Sequence, residues 1–141
     1  MTANPSSSRR SVLRTFGFWL SVPLALLQAV NVARALSDPT GFAIYYGVPV
    51  SGADAVAWVQ VYALRTAFVA ALVAIFLVRR DLRALFWTAV AALILPLGDA
   101  WLTHQTGAAA SIVARHLAIE GYLVLTCVAL FIANRNAARQ P

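Results

Sequence analysis

Three ionisable residues lie inside long apolar runs of the chain: Arg65, Asp99 and Glu120. Charge at bilayer depth is costly, so such residues normally face the interior of a helix bundle and pair there. Two neighbouring carboxylates in a low dielectric cannot both ionise easily, and an arginine holds one of them charged. The three residues are therefore the predicted catalytic group: Asp99 and Glu120 as acid and base, and Arg65 positioning a carboxylate or stabilising an oxyanion.

The composition places these runs in lipid. Of the 141 residues, 61% are hydrophobic and only 11% are charged, and the mean hydropathy is +0.75. A soluble domain would carry roughly a quarter charged residues. The formal charge of +6 comes from arginines clustered at the ends of apolar runs, which leaves little support for binding to nucleic acid. The sequence shows no dinucleotide or haem motif, so no cofactor is expected.

Four apolar runs have the length that a bilayer core requires. They predict an all-α fold, an integral membrane four-helix transmembrane bundle with spans near 16–36, 56–78, 82–103 and 111–133. Residues 1–10 are predicted to form a flexible polar tail and residues 11–141 a single domain. Asp81 is expected to cap the third span, and Ser51 or Asp54 the second. Pro96 should kink the third span three residues before Asp99.

Arginines lie before the first span, between the second and third, and after the fourth. This positive-inside pattern predicts that both termini are cytoplasmic and that the protein is a multi-pass protein of the cell inner membrane. An alternative is that Arg9 and Arg10 belong to a twin-arginine export signal cleaved near Ala35, leaving three spans. The length of the first run and its polar Gln28 and Asn31 favour a retained span.

The expected depths bring the three charged residues into one layer. At a helical rise of about 1.5 Å per residue, Arg65 and Glu120 lie about 13 Å, and Asp99 about 6 Å, from the outer ends of their spans. The opposite half is apolar, so an outer-facing, dead-ended polar pocket for a lipophilic molecule is predicted. The outer loop 37–55, rich in turn formers and aromatic residues, could cover it. The expected substrate-binding residues are Asn31, Arg34, Tyr62, His104 and His116.

Several of these residues also have simpler explanations. His104 and His116 are compatible with an ordinary interfacial position, and each buried charge could serve only to pair helices. A metal site built from Asp99, His104, His116 and Glu120 matches no strong ligand spacing, and the neighbouring arginines oppose a cation, so no metal is predicted.

Short motifs between residues 30 and 107 resemble those of a family of small four-helix integral membrane proteins of unknown function, related to DoxX-like proteins. They are RALSDPTGF (34–42), YGVP (46–49), YALR (62–65), RDLRA (80–84) and LGD (97–99). The resemblance implies a four-helix bundle and implies that Arg65 and Asp99 belong to the family pattern. Glu120 lies outside the matched part, and the resemblance implies no particular activity.

The leading functional prediction is a membrane enzyme that uses general acid–base chemistry on a lipophilic small molecule, such as epoxide hydrolysis or isomerisation. A binding or proton-coupled transport protein is the main alternative, and an accessory structural subunit is the third. Transport requires a polar path to both surfaces, and an accessory subunit should leave some charges facing outward. The expected partners are the lipophilic substrate and the lipid bilayer. The sequence is compatible with a monomer or with a homo-oligomer.

Overall fold

The chain is described by a computed structural model at residue 12 and at residues 15–139. These residues contain no β-strand and form six helices. The expected polar tail and the arginine pair of the export signal lie outside the described residues. The helices are α1 (Phe16–Ser37), α2 (Pro39–Tyr46), α3 (Ala53–Arg79), α4 (Leu82–Ala92), α5 (Ile94–Gln105) and α6 (Ala110–Ala137).

Four helical segments are long and apolar enough to cross a membrane: Phe16–Ser37, Ala53–Arg79, Leu82–Gln105 and Ala110–Ala137. The third of them consists of α4 and α5 together. The predicted four-helix transmembrane bundle is therefore confirmed, and each span begins and ends within a few residues of its expected bounds. The N-in/C-in orientation stays a prediction.

The third span breaks at Leu93, between α4 and α5. Proline lacks an N–H group, so Pro96 cannot close the helical hydrogen bond to the carbonyl four residues earlier. The helix is thus interrupted at Leu93, three residues before Pro96, between the apolar half of this span and the half that carries Asp99. The kink itself stays a prediction. The break leaves Pro96 buried against the other helices.

The two cap predictions have different outcomes. Asp81 Oδ1 accepts a hydrogen bond of 2.9 Å from the Ala84 N–H and caps α4, as expected. The cap of α3 is Gly52, with a φ of +86° and no side-chain cap hydrogen bond. The prediction that Ser51 or Asp54 caps this helix is therefore wrong. Glycine suits the position because its positive φ is unfavourable for other residues.

Replacing Asp81 by alanine should lower the free energy of unfolding by about 1 kcal/mol, because the first-turn amide of Ala84 loses its acceptor. Thermal unfolding in detergent, followed by the loss of helicity, measures the change. Asp54→Ala is the matched control, since Asp54 lies in the first turn of α3 without capping it. Equal losses in the two variants would show that the cap itself contributes nothing.

The packing of the bundle is uneven. α1 packs along both α3 and α6, and α6 also packs on α4 and α5. A core cluster lies in the half of the bundle remote from α2, with Phe18, Leu85 and Leu130 among its members. By contrast, α3 and α5 are not a closely packed pair. The bundle is therefore closed around α1 and α6 and looser between α3 and α5.

Polar side chains join the helices at several points. Tyr122 Oη donates to the Leu20 carbonyl at 3.0 Å, linking α6 to α1. Asn134 Nδ2 donates to the Leu82 carbonyl at 2.9 Å, linking the end of α6 to the start of α4. This second bond places the end of α6 beside the arginine-rich turn between α3 and α4.

The expected outer loop contains the two-turn helix α2. Asp38 accepts from the Gly41 N–H at 2.9 Å and caps its start, and Gly47, with a φ of +100°, ends it. The Gly47 carbonyl then accepts from Thr106 Oγ1 at 3.0 Å, which ties the end of α2 to the end of α5. The segment that sequence analysis treats as a loop is therefore an ordered helix lying over the bundle.

Candidate functional site

A cavity of about 260 Å³ lies between the helices at the end of the bundle that α2 covers. From α1 it is lined by Leu27, Gln28 and Asn31, and from α2 by Tyr45 and Tyr46. The other helices complete the wall, and they contribute Tyr62, Arg65, Thr66 and Val69 (α3), Leu95, Pro96 and Asp99 (α5), and Arg115, His116 and Ile119 (α6). Every span thus contributes to the cavity.

Asp99 is held by a tyrosine of α2. The Tyr46 hydroxyl donates a short hydrogen bond to Asp99 Oδ2. Burial raises the pKa of the Tyr46 phenol, and the neighbouring Tyr62 and Asp99 raise it further. Tyr46 therefore stays protonated at neutral pH and is a permanent donor to the carboxylate. This bond orients Asp99 and leaves its other oxygen free of the tyrosine.

His116 supports the same tyrosine from the other side. Its side chain is only 3% exposed, and its Nε2 lies 3.1 Å from the Tyr46 carbonyl oxygen. A carbonyl only accepts, so the contact requires a proton on Nε2. The two rings meet edge to face with centroids 4.9 Å apart. His116 thus fixes the end of α2 over the cavity.

An aromatic cluster joins α2 to α3. The rings of Phe42, Tyr46 and Tyr62 contact one another with centroids 5.3 to 5.6 Å apart. Phe42 is buried together with Ala35 of α1 and Ala63 of α3, and these two alanines have no exposed surface. Small residues let the helices approach closely here. The cluster therefore gives the Tyr46 hydroxyl a fixed position.

Tyr45 lies between two arginines. The guanidinium carbons of Arg34 and Arg115 are 4.9 Å and 3.9 Å from the centroid of its ring. Arg115 also donates a short hydrogen bond to the Tyr45 carbonyl. Cation–π contacts of this kind contribute about 0.5–1 kcal/mol at exposed sites. Arginines of α1 and α6 thereby hold α2 across the opening.

Two of the three predicted catalytic residues, Arg65 and Asp99, line the cavity. Glu120 does not. Its Oε2 is buried without a hydrogen-bond partner among the described residues. The expectation that all three side chains converge is therefore wrong for Glu120, because α6 turns His116 and Ile119 towards the cavity instead. A catalytic role for Glu120 stays a prediction that its position does not support.

The predicted substrate-binding residues divide in the same way. Asn31, Tyr62 and His116 line the cavity. Arg34 is outside it, against the ring of Tyr45, and His104 is exposed near the end of α5. No three His, Cys, Asp or Glu side chains of the described chain come together as a metal site requires.

Sequence reasoning missed the two residues that close the site, Tyr46 and Arg115. Tyr46 belongs to the aromatic patch assigned to an interfacial loop, and it is 53 positions from its partner Asp99. The available signal was the sequence Asp38-Pro39, a helix cap followed by proline, with Gly47 eight residues later. That pattern predicts a short helix, which would have placed Tyr46 at its inner end.

An apolar extension continues the cavity towards the core. This second space, of about 70 Å³, shares Leu27, Val69 and Leu95 with the first and reaches Val73 and Leu85. Its lining is mostly hydrocarbon, with Ser21, Gln28 and Thr88 as the polar members. The charged side chains are therefore confined to the other end of the cavity.

Four apolar spans around this cavity define a small multi-pass membrane protein. The chain belongs to the family described as a domain of unknown function (DUF4267), which it matches over residues 25–131. The match covers most of the bundle, including Arg65, Asp99 and Glu120, but it does not confirm the relation to DoxX-like proteins. No curated protein and no solved structure matches the chain.

Proposed function

We propose that the protein is an integral membrane enzyme that performs general acid–base chemistry on a lipophilic small molecule without a cofactor. The observation that supports it best is the Asp99 carboxylate, held by the Tyr46 hydroxyl inside a cavity with an apolar floor. An oriented carboxylate in a site with reduced access to water is a typical general base.

The absence of Glu120 from the cavity favours isomerisation over a mechanism with two carboxylates. A proton shift needs one base, which removes a proton from one carbon and returns it to another, while the electron pair moves through the intervening double bond. Asp99 takes the role of this base. Charge that develops on a substrate oxygen is stabilised by the Arg65 guanidinium and the Tyr62 hydroxyl, both of which line the cavity.

Epoxide opening is the second version of this chemistry. Asp99 removes a proton from water while the water oxygen bonds to an epoxide carbon, and the released alkoxide takes up a proton. It requires an ordered water beside Asp99 and a proton donor for the alkoxide. Tyr62 is the tyrosine of the lining assigned to this role, because Tyr46 already donates to Asp99.

The proposed location is the cell inner membrane, with both termini on the cytoplasmic side. Arg79, Arg80 and Arg83 lie at the junction of α3 and α4. The bond from Asn134 to Leu82 brings the end of α6 to the same surface. Arginine-rich ends favour the cytoplasm. The site then opens towards the outer side.

An accessory subunit is a second candidate, and one observation favours it. Arg65 is exposed although it belongs to a membrane span. This is expected of a charge that pairs with a partner protein in an assembled complex. Transport has less support, because the polar part of the cavity ends at the apolar extension.

The test is a turnover screen of the purified protein in lipid nanodiscs. Lipophilic epoxides and unsaturated isoprenoid ketones, each as the neutral compound and as its terminal carboxylic acid, are incubated in D₂O, and products and deuterium incorporation are measured by mass spectrometry. An isomerase exchanges substrate protons with solvent, and a hydrolase gives diols. If no compound of these classes is exchanged or converted, the proposal of acid–base catalysis is wrong.

Tyr46→Phe should reduce the rate about 10- to 100-fold, because the carboxylate loses the donor that orients it. Tyr122→Phe is the matched control, since this tyrosine bonds the Leu20 carbonyl outside the cavity. The initial rates of both variants are compared with that of the wild type on any active compound. A Tyr46→Phe rate equal to that of Tyr122→Phe would exclude the proposed role of Tyr46.

A further inference from the structure

Arg65 has no anionic partner in the described chain. It lies near the middle of α3, a helix of 27 residues, about 18 Å from Ala53 and about 21 Å from Arg79 along the axis. A charge at this depth normally pairs or reaches the interface. Within residues 15–139, no carboxylate forms an ion pair with Arg65. Asp38 and Asp81 cap helices, and Asp99 is bonded to Tyr46. Asp54 lies in the first turn of α3, and the buried Oε2 of Glu120 has no hydrogen-bond partner.

The cavity reaches the surface of the bundle beside this arginine. Arg65 and Leu95 both line it, and both are exposed, Leu95 by 45%. They belong to α3 and α5, the neighbouring segments that are not closely packed on each other. In a bilayer this side opening faces lipid. A molecule dissolved in the membrane can therefore reach the cavity without passing through water.

The polar and apolar parts of the cavity indicate the shape of this molecule. Arg65, Gln28 and Asn31 offer hydrogen-bond donors at the polar end. The apolar extension, of about 70 Å³, is too small for a long chain. Most of a long tail would therefore lie in the opening between α3 and α5 and in the surrounding lipid.

We propose that the cavity binds a single-chain amphiphile with an acidic head group, which enters between α3 and α5 and pairs its oxyanion with Arg65. This names the substrate class of the enzyme proposed above and rests on that proposal for its chemistry, although binding does not require turnover. A guanidinium binds carboxylates and phosphates through paired hydrogen bonds, so both head groups fit.

A phospholipid head group is a poor candidate for the anion. The hydrocarbon core is about 30 Å thick, so the middle of a span is about 15 Å from either head-group layer. That exceeds the reach of an arginine side chain. A single-chain acid can place its head deeper, because it has no second chain or glycerol group to bury with it.

The experiment is photolabelling in phosphatidylcholine nanodiscs. The probe is a fatty acid with a diazirine near its carboxyl end, and labelled positions are mapped by peptide mass spectrometry. Labels are expected on α3 and α5 around the opening, at Val69 and Leu95. Dodecanoate or dodecyl phosphate should compete at least about tenfold better than dodecanol, because only they supply an oxyanion. The stronger of the two acids identifies the head group.

Arg65→Gln should lower labelling at least about tenfold, and Arg65→Lys should retain part of it. Arg79→Gln is the control, because Arg79 is an exposed arginine at the far end of the same helix. If Arg65→Gln does not fold, the comparison of acid with alcohol on the wild type decides alone.

Equal competition by dodecanol, or labels only outside α3 and α5, would overturn the inference. Loss of labelling in nanodiscs of anionic phosphatidylglycerol would also overturn it and would assign Arg65 to lipid head groups. An oligomer that dissociates in Arg65→Gln, without any effect of the acid, would overturn it and assign Arg65 to contact with a second copy of the chain. Saturable, acid-selective labelling without turnover would keep this inference and reject only the proposed chemistry.

Discussion

Asp99→Asn is expected to reduce turnover about 10²- to 10⁴-fold, the range that a positioned general base contributes. The amide is nearly the same size as the carboxylate and can still accept from Tyr46, so the cavity keeps its shape. It cannot take up the proton of a substrate at neutral pH. Initial rates on the active compound, at substrate concentrations above and below the KM, measure the loss and show whether it falls on kcat.

The matched control for this substitution is Asp54→Asn. This substitution makes the same chemical change in the first turn of α3, where no cap hydrogen bond depends on Asp54. The turnover rate of this variant should equal that of the wild type. Glu120→Gln is a second comparison, because a mechanism that uses both carboxylates predicts that this variant loses as much turnover as Asp99→Asn. Full activity in Asp99→Asn would reject Asp99 as the base, and a loss confined to Glu120→Gln would move the site to α6.

The spans follow from the sequence because their main determinant is local. A bilayer requires about twenty apolar residues in each helix, and four such runs are present. The helix interruption before Pro96 and the cap at Asp81 also depend on neighbours in the same segment. The helix α2 was missed because it is only eight residues long and is stabilised by contacts with Tyr62, His116 and Arg115 from other spans.

The candidate site was predicted only in part, because depth does not determine direction. Arg65 and Asp99 reach the same cavity, as their depths suggest, but adjacent positions on a helix differ by about 100°. On α6 this rotation directs Ile119 to the cavity and Glu120 away from it. Tyr46 needed long-range information, since its bond to Asp99 joins two segments whose relative position no local pattern specifies.

The close approach of α1 and α6 makes Gly17 the most sensitive glycine of the bundle. A Cβ at this position would lie 2.7 Å from the Leu130 backbone nitrogen and 2.9 Å from the Ala129 carbonyl carbon. Both are backbone atoms of a helix, so neither can rotate aside. Membrane helices often use such small residues where their backbones meet.

Gly17→Ala should therefore lower the free energy of unfolding by about 1–3 kcal/mol, the usual penalty for overpacking a core. The methyl group forces α1 and α6 apart. Phe18 of α1 and Leu130 of α6, which are buried in the same cluster, then lose packing contacts. The control is Gly121→Ala on α6, where an added Cβ meets nothing within 4 Å. This variant should be as stable as the wild type or more stable, because alanine favours a helix by about 1 kcal/mol over glycine. Thermal unfolding of the two variants in the same detergent measures the difference. If Gly17→Ala unfolds at the temperature of Gly121→Ala, α1 and α6 do not approach as closely as described.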